Sequence, residues 1–265
     1  MDFINFVSDK RRILFIKNVI GDENYNRLES DLNQQFNKTL ISLDDIAKEY
    51  LDIIFKLVNR LEPDLIESLP TYHNSREIVM VNSSNLSASL DEILSSQVVG
   101  FDTESRPIFE KSKSDDNIAL MQISTPNKCF LFQIGKFQDL FFMEKILSNP
   151  NIKKVGIGLN NDRKKLYRRY GVSLENVVSI DEVFRLLGNR DAVGIKQMVA
   201  RVLDKNISKK KSISVSRWDN IKLSKEQIIY AADDAFASLD VYEKLGEIFF
   251  KFRDLTPKNI LKLYK

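Results

Sequence analysis

Acidic residues stand at three places in this chain, in a pattern suited to one kind of chemistry. Asp102 and Glu104 close the apolar run Val98-Val99-Gly100-Phe101-Asp102-Thr103-Glu104. Asp162 follows Val155-Gly156-Ile157-Gly158-Leu159-Asn160-Asn161, and Asp234 follows Tyr230 by one helical turn in Tyr230-Ala231-Ala232-Asp233-Asp234-Ala235. Carboxylates converging from separate elements suit hard divalent cations such as Mg²⁺ or Mn²⁺, which prefer oxygen ligands. A pair of such ions is a recurring device for cleaving phosphodiesters.

Each acid alone has an ordinary explanation. Asp-x-Glu at a strand end puts both side chains on one face, as a solvated loop start also would. Asp162 in the first turn of a helix complements the helix dipole. Tyr230 and Asp234 share a helix face, whereas Asp233 is rotated by about 100° and points elsewhere; that makes Asp234 the candidate ligand of the adjacent pair. Ala231, Ala232, Ala235 and Ala237 give this helix a small-residue surface for close packing. Chain order, acid types and the Tyr-x-x-x-Asp spacing agree jointly, and the combination is specific.

Composition removes the alternatives. The chain has a single histidine, His73, and a single cysteine, Cys129. Ser-His-Asp and Cys-His mechanisms, histidine metal sites, cysteine zinc clusters and an intramolecular disulfide are therefore excluded. Net charge is +3 but uneven: residues 1–75 hold 9 Lys/Arg against 13 Asp/Glu, and the remainder holds 31 against 24. The segment with the acidic motifs is the basic one, as a polyanion-binding segment would be. No window approaches the roughly 20 apolar residues of a membrane helix. The first residues, Met1-Asp2-Phe3-Ile4-Asn5, resemble neither a secretory signal nor a transit peptide. An intracellular setting, cytoplasmic or nuclear, is expected.

The elements that must position these acids are readable from periodicity. Residues 1–75 read as a helical N-terminal extension, with a capping-box pattern at Ser42 and Asp45 and an apolar stripe from Leu43 to Leu61, broken by Pro63 and Pro70. That stripe is read as packing on its own domain, with a protein partner or self-association as the alternative. Residues 76–252 form the expected catalytic domain and 253–265 a short tail. Strands are expected at Glu77–Val81, Val98–Asp102, Lys154–Ile157 and Val177–Ile180, with a hairpin of 118–123 and 129–134 around Ser124-Thr125-Pro126-Asn127-Lys128. Helices are expected from Ser83 or Ser84 to Leu94, around Leu140–Leu147, from Asn160 or Asn161, and from Ser224 to Phe250. Antiparallel pairing, then βα alternation, then helices predicts an α/β mixed sheet flanked by helices.

On these motifs, residues from about 76 to 250 resemble the tyrosine subclass of the DEDD 3′–5′ exonuclease superfamily, especially the domains related to ribonuclease D and the Werner helicase. The segment Lys211-Ser212-Ile213-Ser214-Val215-Ser216-Arg217-Trp218 belongs to the match. The resemblance implies an RNase H-like fold and two divalent ions, Mg²⁺ or Mn²⁺. Asp102, Glu104 and Asp234 would hold one ion, with Asp102 shared, and Asp162 the second, partly through water. Tyr230 would orient the attacking water. The implied substrate is single-stranded or 3′-ended nucleic acid, and the implied product a nucleoside 5′-monophosphate.

Two basic clusters are candidates for the nucleic-acid backbone. Arg163, Lys164, Lys165, Arg168 and Arg169 follow the second motif, and at least half of these belong to a solvated face. Lys205, Lys209, Lys210, Lys211 and Arg217 precede the third, and there Lys211 and then Arg217 are the chosen phosphate contacts. Trp218 is read as a core anchor, with base stacking as the alternative. The rivals are a catalytically silent nucleic-acid-binding module, an interaction protein working through residues 1–75, and an unrelated metal phosphoesterase. The first fits poorly with a complete acid set, and the last leaves the Tyr-x-x-x-Asp helix unexplained.

Overall fold

The structure is a computed structural model that describes residues 60–106, 117–182 and 193–255, with side chains to residue 246. The expected cap at Ser42, the stripe from Leu43 and the end of the tail lie outside the described residues. The sheet-bearing compact unit comprises Leu61–Asp181 and Gly194–Tyr242. Its elements in chain order are α1 (Pro63–Ser68), β1 (Glu77–Val81), α2 (Leu86–Leu94), β2 (Val98–Ser105), β3 (Ile118–Ser124), β4 (Lys128–Gln133), α3 (Phe141–Leu147), β5 (Lys153–Gly156), α4 (Leu159–Tyr170), β6 (Val177–Ser179), α5 (Ile195–Leu203), α6 (Lys211–Ser214) and α7 (Lys225–Leu255). The last of these leaves helical geometry at Gly246, where φ is 66°.

The six strands form one sheet in the order β1-β4-β3-β2-β5-β6. β2, β3 and β4 pair antiparallel, whereas β1 with β4, β2 with β5 and β5 with β6 are parallel. A tight turn joins β3 to β4, in which Thr125 N–H donates to the Lys128 carbonyl at 2.8 Å. Parallel partners need crossovers; α2 lies between β1 and β2 in the chain, and α4 between β5 and β6. The strand expectations hold to within a few residues, and the mixed sheet flanked by helices is as expected. One local expectation fails: neither Ser83 nor Ser84 caps α2. Asn85 occupies that position, and the Ser84 hydroxyl instead donates to Asn82 Oδ1.

Strand register sorts the side chains to the two faces. Met80, Leu131, Gln122 and Asp102 are cross-strand partners in one row, so all four face the same side. Leu131 on that face packs with Leu120, Cys129, Trp218, Tyr230, Ala231, Ala232, Ala235 and Phe236. The opposite face carries a second core in which Phe101, Met121, Ile123, Phe130 and Phe132 meet Leu90 and Ile93 of α2, Phe142 and Ile146 of α3, and Leu166 of α4.

At Gly100 α7 lies so close to the sheet that no side chain fits. A Cβ built there would stand 2.1 Å from the Ala235 carbonyl oxygen and 2.3 Å from Ser124 Oγ. The Ser124 hydroxyl donates to that same Ala235 carbonyl at 2.9 Å. The start of α7 is fixed by a reciprocal capping box, in which Gln227 N–H donates to Ser224 Oγ and Ser224 N–H to Gln227 Oε1. Further along, Asp240 accepts two hydrogen bonds from the Arg76 guanidinium, each 2.8 Å, and a third from the Tyr72 hydroxyl. Arg76 also lies 3.9 Å over the Phe236 ring.

Gly100→Ala forces a methyl group against a helix backbone that cannot rotate away. We expect a cost of about 1–3 kcal/mol, seen in a thermal melt as a fall in Tm of roughly 3–10 °C. An unchanged Tm would show that α7 does not depend on this contact.

Candidate active site

Asp102 and Glu104 project from the C-terminal end of β2 toward α7, because both share the face defined by Gly100. Asp234 reaches them from α7, and ligand atoms of Asp102, Glu104 and Asp234 lie within 4.8 Å of one another. Tyr230, one turn earlier, is buried with its ring 6.0 Å from that of Trp218. Asp162 comes from the first turn of α4, after Gly158 has turned the chain in the left-handed region at φ 69°. Its carboxylate accepts a hydrogen bond of 2.5 Å from Thr103 Oγ1. Thr103 faces the opposite side of β2 from its two acidic neighbours. Three acids thus cluster at the strand end, and Thr103 holds Asp162 where its charge still acts on Asp102 and Glu104.

The helix rotation argued from spacing is as expected: Asp234, not Asp233, joins the acidic group. Arg163, Lys164, Arg168 and Arg169 are exposed, and Lys165 turns inward to donate to Ser105 Oγ at 3.1 Å. Lys211 stands exposed at the start of α6, and Arg217, also exposed, pairs with Asp219 at 2.9 Å. Trp218 is fully buried and donates its indole N–H to the Ser214 carbonyl, so it presents no face for a base to stack on.

Two participants were not singled out from sequence. Lys209 places its ammonium 2.6 Å and 2.5 Å from the two oxygens of Asp234 and 3.9 Å from the centre of the Tyr230 ring. Its segment is aimed there by a short parallel bridge between Thr71 and Asn206, in which Tyr72 N–H donates to the Asn206 carbonyl and Asn206 N–H to the Pro70 carbonyl. Gln122, the cross-strand partner of Asp102, is fully buried, and neither atom of its amide has a partner.

Burial dominates the electrostatics, and crowding adds to it at Asp102 and Glu104. Burial, then the charges of Asp234, Glu104 and Asp162, hold the Asp102 carboxyl well above the usual carboxylate range, with Lys209 opposing. Burial and Asp234 push Glu104 up to about 8. Burial also raises Asp162 and Asp234, against the hydrogen bond from Thr103 in the first case and Lys209 in the second. Tyr230 is raised by burial and by Asp234, so its phenol keeps its proton near neutral pH. Burial alone would lower the Lys209 ammonium, but Asp234 and Tyr230 outweigh it and raise it.

Asp102, Glu104, Asp162 and Asp234 outnumber the Lys209 and Lys165 ammonium groups that oppose them, and a buried amide beside Asp102 has nothing to bond. Both features fit divalent cations: the donors are all hard oxygens, the excess negative charge is uncompensated, and an orphaned polar group adjoins the strand-borne ligand.

A mixed sheet with acids from two strand ends and a Tyr-x-x-x-Asp helix defines the class of RNase H-like nucleases. A family model described as 3′-5′ exonuclease matches residues 78–249, and the chain belongs to this family. The bifunctional 3′-5′ exonuclease/ATP-dependent helicase WRN of Mus musculus is 37% identical over 155 residues, covering 57% of this chain and 11% of that protein. A 3′-5′ exonuclease of Arabidopsis thaliana is 32% identical over 155 residues, covering 57% of this chain and 53% of the relative. Each match spans about half or less of the relative's length. Trypanosoma brucei RNase D in complex with RNA U12 has the same fold, with a TM-score of 0.60 at 17% identity over 72% of this chain and 71% of that one. Among the described residues, no helix is long and apolar enough to cross a membrane.

Glu104 sets a pH test. Its folded-state value of about 8 lies above its ordinary 4.5, so the native state binds more protons than the unfolded chain between those limits. Stability of the metal-free protein therefore falls as pH rises across that window. Thermal melts in EDTA are expected to show a Tm that declines from pH 5 to pH 8, and saturating Mg²⁺ or Mn²⁺ to flatten the decline. A metal-free Tm that rises over this range would contradict the account of the site.

Proposed function

We infer that this protein is a 3′–5′ exonuclease that hydrolyses terminal phosphodiester bonds of nucleic acid with two divalent ions, Mg²⁺ or Mn²⁺, releasing nucleoside 5′-monophosphates. The observation that carries this reading is the convergence of Asp102, Glu104 and Asp234 within 4.8 Å, beside a Tyr230 that shares the Asp234 helix face. Asp102, Glu104 and Asp234 would hold one ion, with Asp102 shared, and Asp162 the other. When bound, the ions supply Lewis acidity, activating water near neutral pH and stabilising charge on the leaving oxygen.

The chain's own residues orient and exclude. Tyr230 keeps its phenolic proton and so suits hydrogen bonding to the attacking water better than removing its proton. Thr103 fixes the Asp162 carboxylate through its hydroxyl, at a place where the Asp162 charge is still felt by Asp102 and Glu104. Lys211 and Arg217, both exposed and preceding α7 in the chain, would meet the backbone of a single-stranded or 3′-ended substrate. Similarity to an RNase D seen with RNA supports a nucleic-acid substrate. Residues 76–252 would form the catalytic domain and 1–75 a helical extension whose apolar stripe packs on its own domain, with a protein partner or self-association as the alternative, while a reducing compartment, cytoplasm or nucleus, suits the buried thiol of Cys129.

The test is degradation of 3′- and 5′-labelled single-stranded DNA and RNA with Mg²⁺ or Mn²⁺. Shortening from the 3′ end, blocked by EDTA, is expected. Asp102→Ala should lower the rate by about 10³-fold, and Tyr230→Phe by about 100-fold through misplaced water, with KM little changed. Well-folded, metal-loaded protein that binds but cleaves none of these substrates would instead be a silent nucleic-acid-binding module.

A further inference from the structure

Lys209 raises a question that the four acids do not. Its ammonium engages both oxygens of Asp234, at 2.6 and 2.5 Å. Asp234 is also one of the carboxylates whose ligand atoms cluster within 4.8 Å. A cation bound there shares those two oxygens with the Lys209 ammonium, and it would meet a fixed positive charge at contact distance. Coulomb repulsion at about 4 Å is substantial outside bulk water. Lys209 in this position and a divalent ion on Asp234 therefore compete.

The competition has a natural release. Lys209 belongs to a short segment between the bridge at Asn206 and α6, and its neighbours Ser208 and Lys210 are exposed. A lysine ammonium on its four-carbon stem can move to a new anion without movement of the fold. An anion that enters this site under the exonuclease reading is the terminal phosphodiester of a 3′ end.

We propose that Lys209 is an exchanging counter-ion: it neutralises Asp234 in the free protein and passes to the scissile phosphate when a 3′ end docks, freeing Asp234 for the metal ion. Metal and nucleic acid then bind cooperatively, with Lys209 carrying part of the coupling between them. This rests on the exonuclease reading and adds a residue to it.

The experiment measures Mn²⁺ affinity by the EPR signal of free Mn²⁺. It is run with and without a saturating oligonucleotide whose last linkage is a cleavage-resistant phosphorothioate, on wild type, Lys209→Met and Lys209→Arg. In wild type, the oligonucleotide is expected to tighten Mn²⁺ binding by roughly 10-fold or more. Lys209→Met should bind Mn²⁺ more tightly than wild type without oligonucleotide, gain less when it is added, and bind the metal-free oligonucleotide more weakly. Lys209→Arg, whose planar fork holds a carboxylate through paired hydrogen bonds, should bind Mn²⁺ more weakly than wild type without oligonucleotide. Opposite shifts in the two variants are not what a folding defect produces. If both variants bind Mn²⁺ more weakly and keep the wild-type coupling, Lys209 is only structural and the proposal falls, leaving the exonuclease reading intact. If wild type binds neither Mn²⁺ nor oligonucleotide, both fall.

Discussion

Backbone on backbone at Gly100 is the contact from which the site follows. The sheet offers a position with no side chain, and the Ala235 carbonyl of α7 fills the space, taking a hydrogen bond from Ser124 as it does so. Alanines on either side keep the helix at this distance along its first turns. Once α7 is seated there, Asp234 cannot avoid Asp102, since each lies close to the contact along its own element. The capping box at Ser224 and the Arg76–Asp240 pair hold the helix on either side of that point. Position is thus set by steric fit, and the charges are carried into place by it.

Electrostatics alone would never assemble such a group. Asp234 is buried and Asp102 half-buried; burial pushes every carboxyl of the site upward, and repulsion adds to it at Asp102 and Glu104. The apolar cores on the two faces of the sheet, with Phe101, Phe130 and Phe132 on one and Trp218 and Phe236 on the other, supply the stabilisation against which this repulsion works. Lys209 and Thr103 relieve it locally, one by charge and one by a hydrogen bond.

How much was readable beforehand depended on how local the determinant was. The pairings Asp102 with Glu104 and Tyr230 with Asp234 are encoded by strand and helix periods, which need no tertiary information, and the structure keeps both. The strands and the hairpin followed from apolar runs and turn residues for the same reason. Lys209 was one of five basic residues in its stretch, and what selects it is a bridge to Thr71, far away in sequence. Gln122 was equally hidden, since only the register against Asp102 shows that its amide lies beside the acids. Asn85 displaced the serines at the start of α2 because its amide also bonds back to the Met80 carbonyl at 3.1 Å, a contact that no spacing rule reports.

Burial of mutually repelling acids also has a consequence over generations. Replacing Asp102 or Glu104 by its neutral amide removes repulsion and leaves both apolar cores untouched, so the substituted chain folds at least as well as its parent. Stability therefore gives no protection to these two acids; selection for what they do must hold them in place. A duplicated copy released from that selection can lose its acids while keeping the sheet, the seated helix and the basic surface. The architecture thus lets the fold outlast the chemistry that its acids are arranged for.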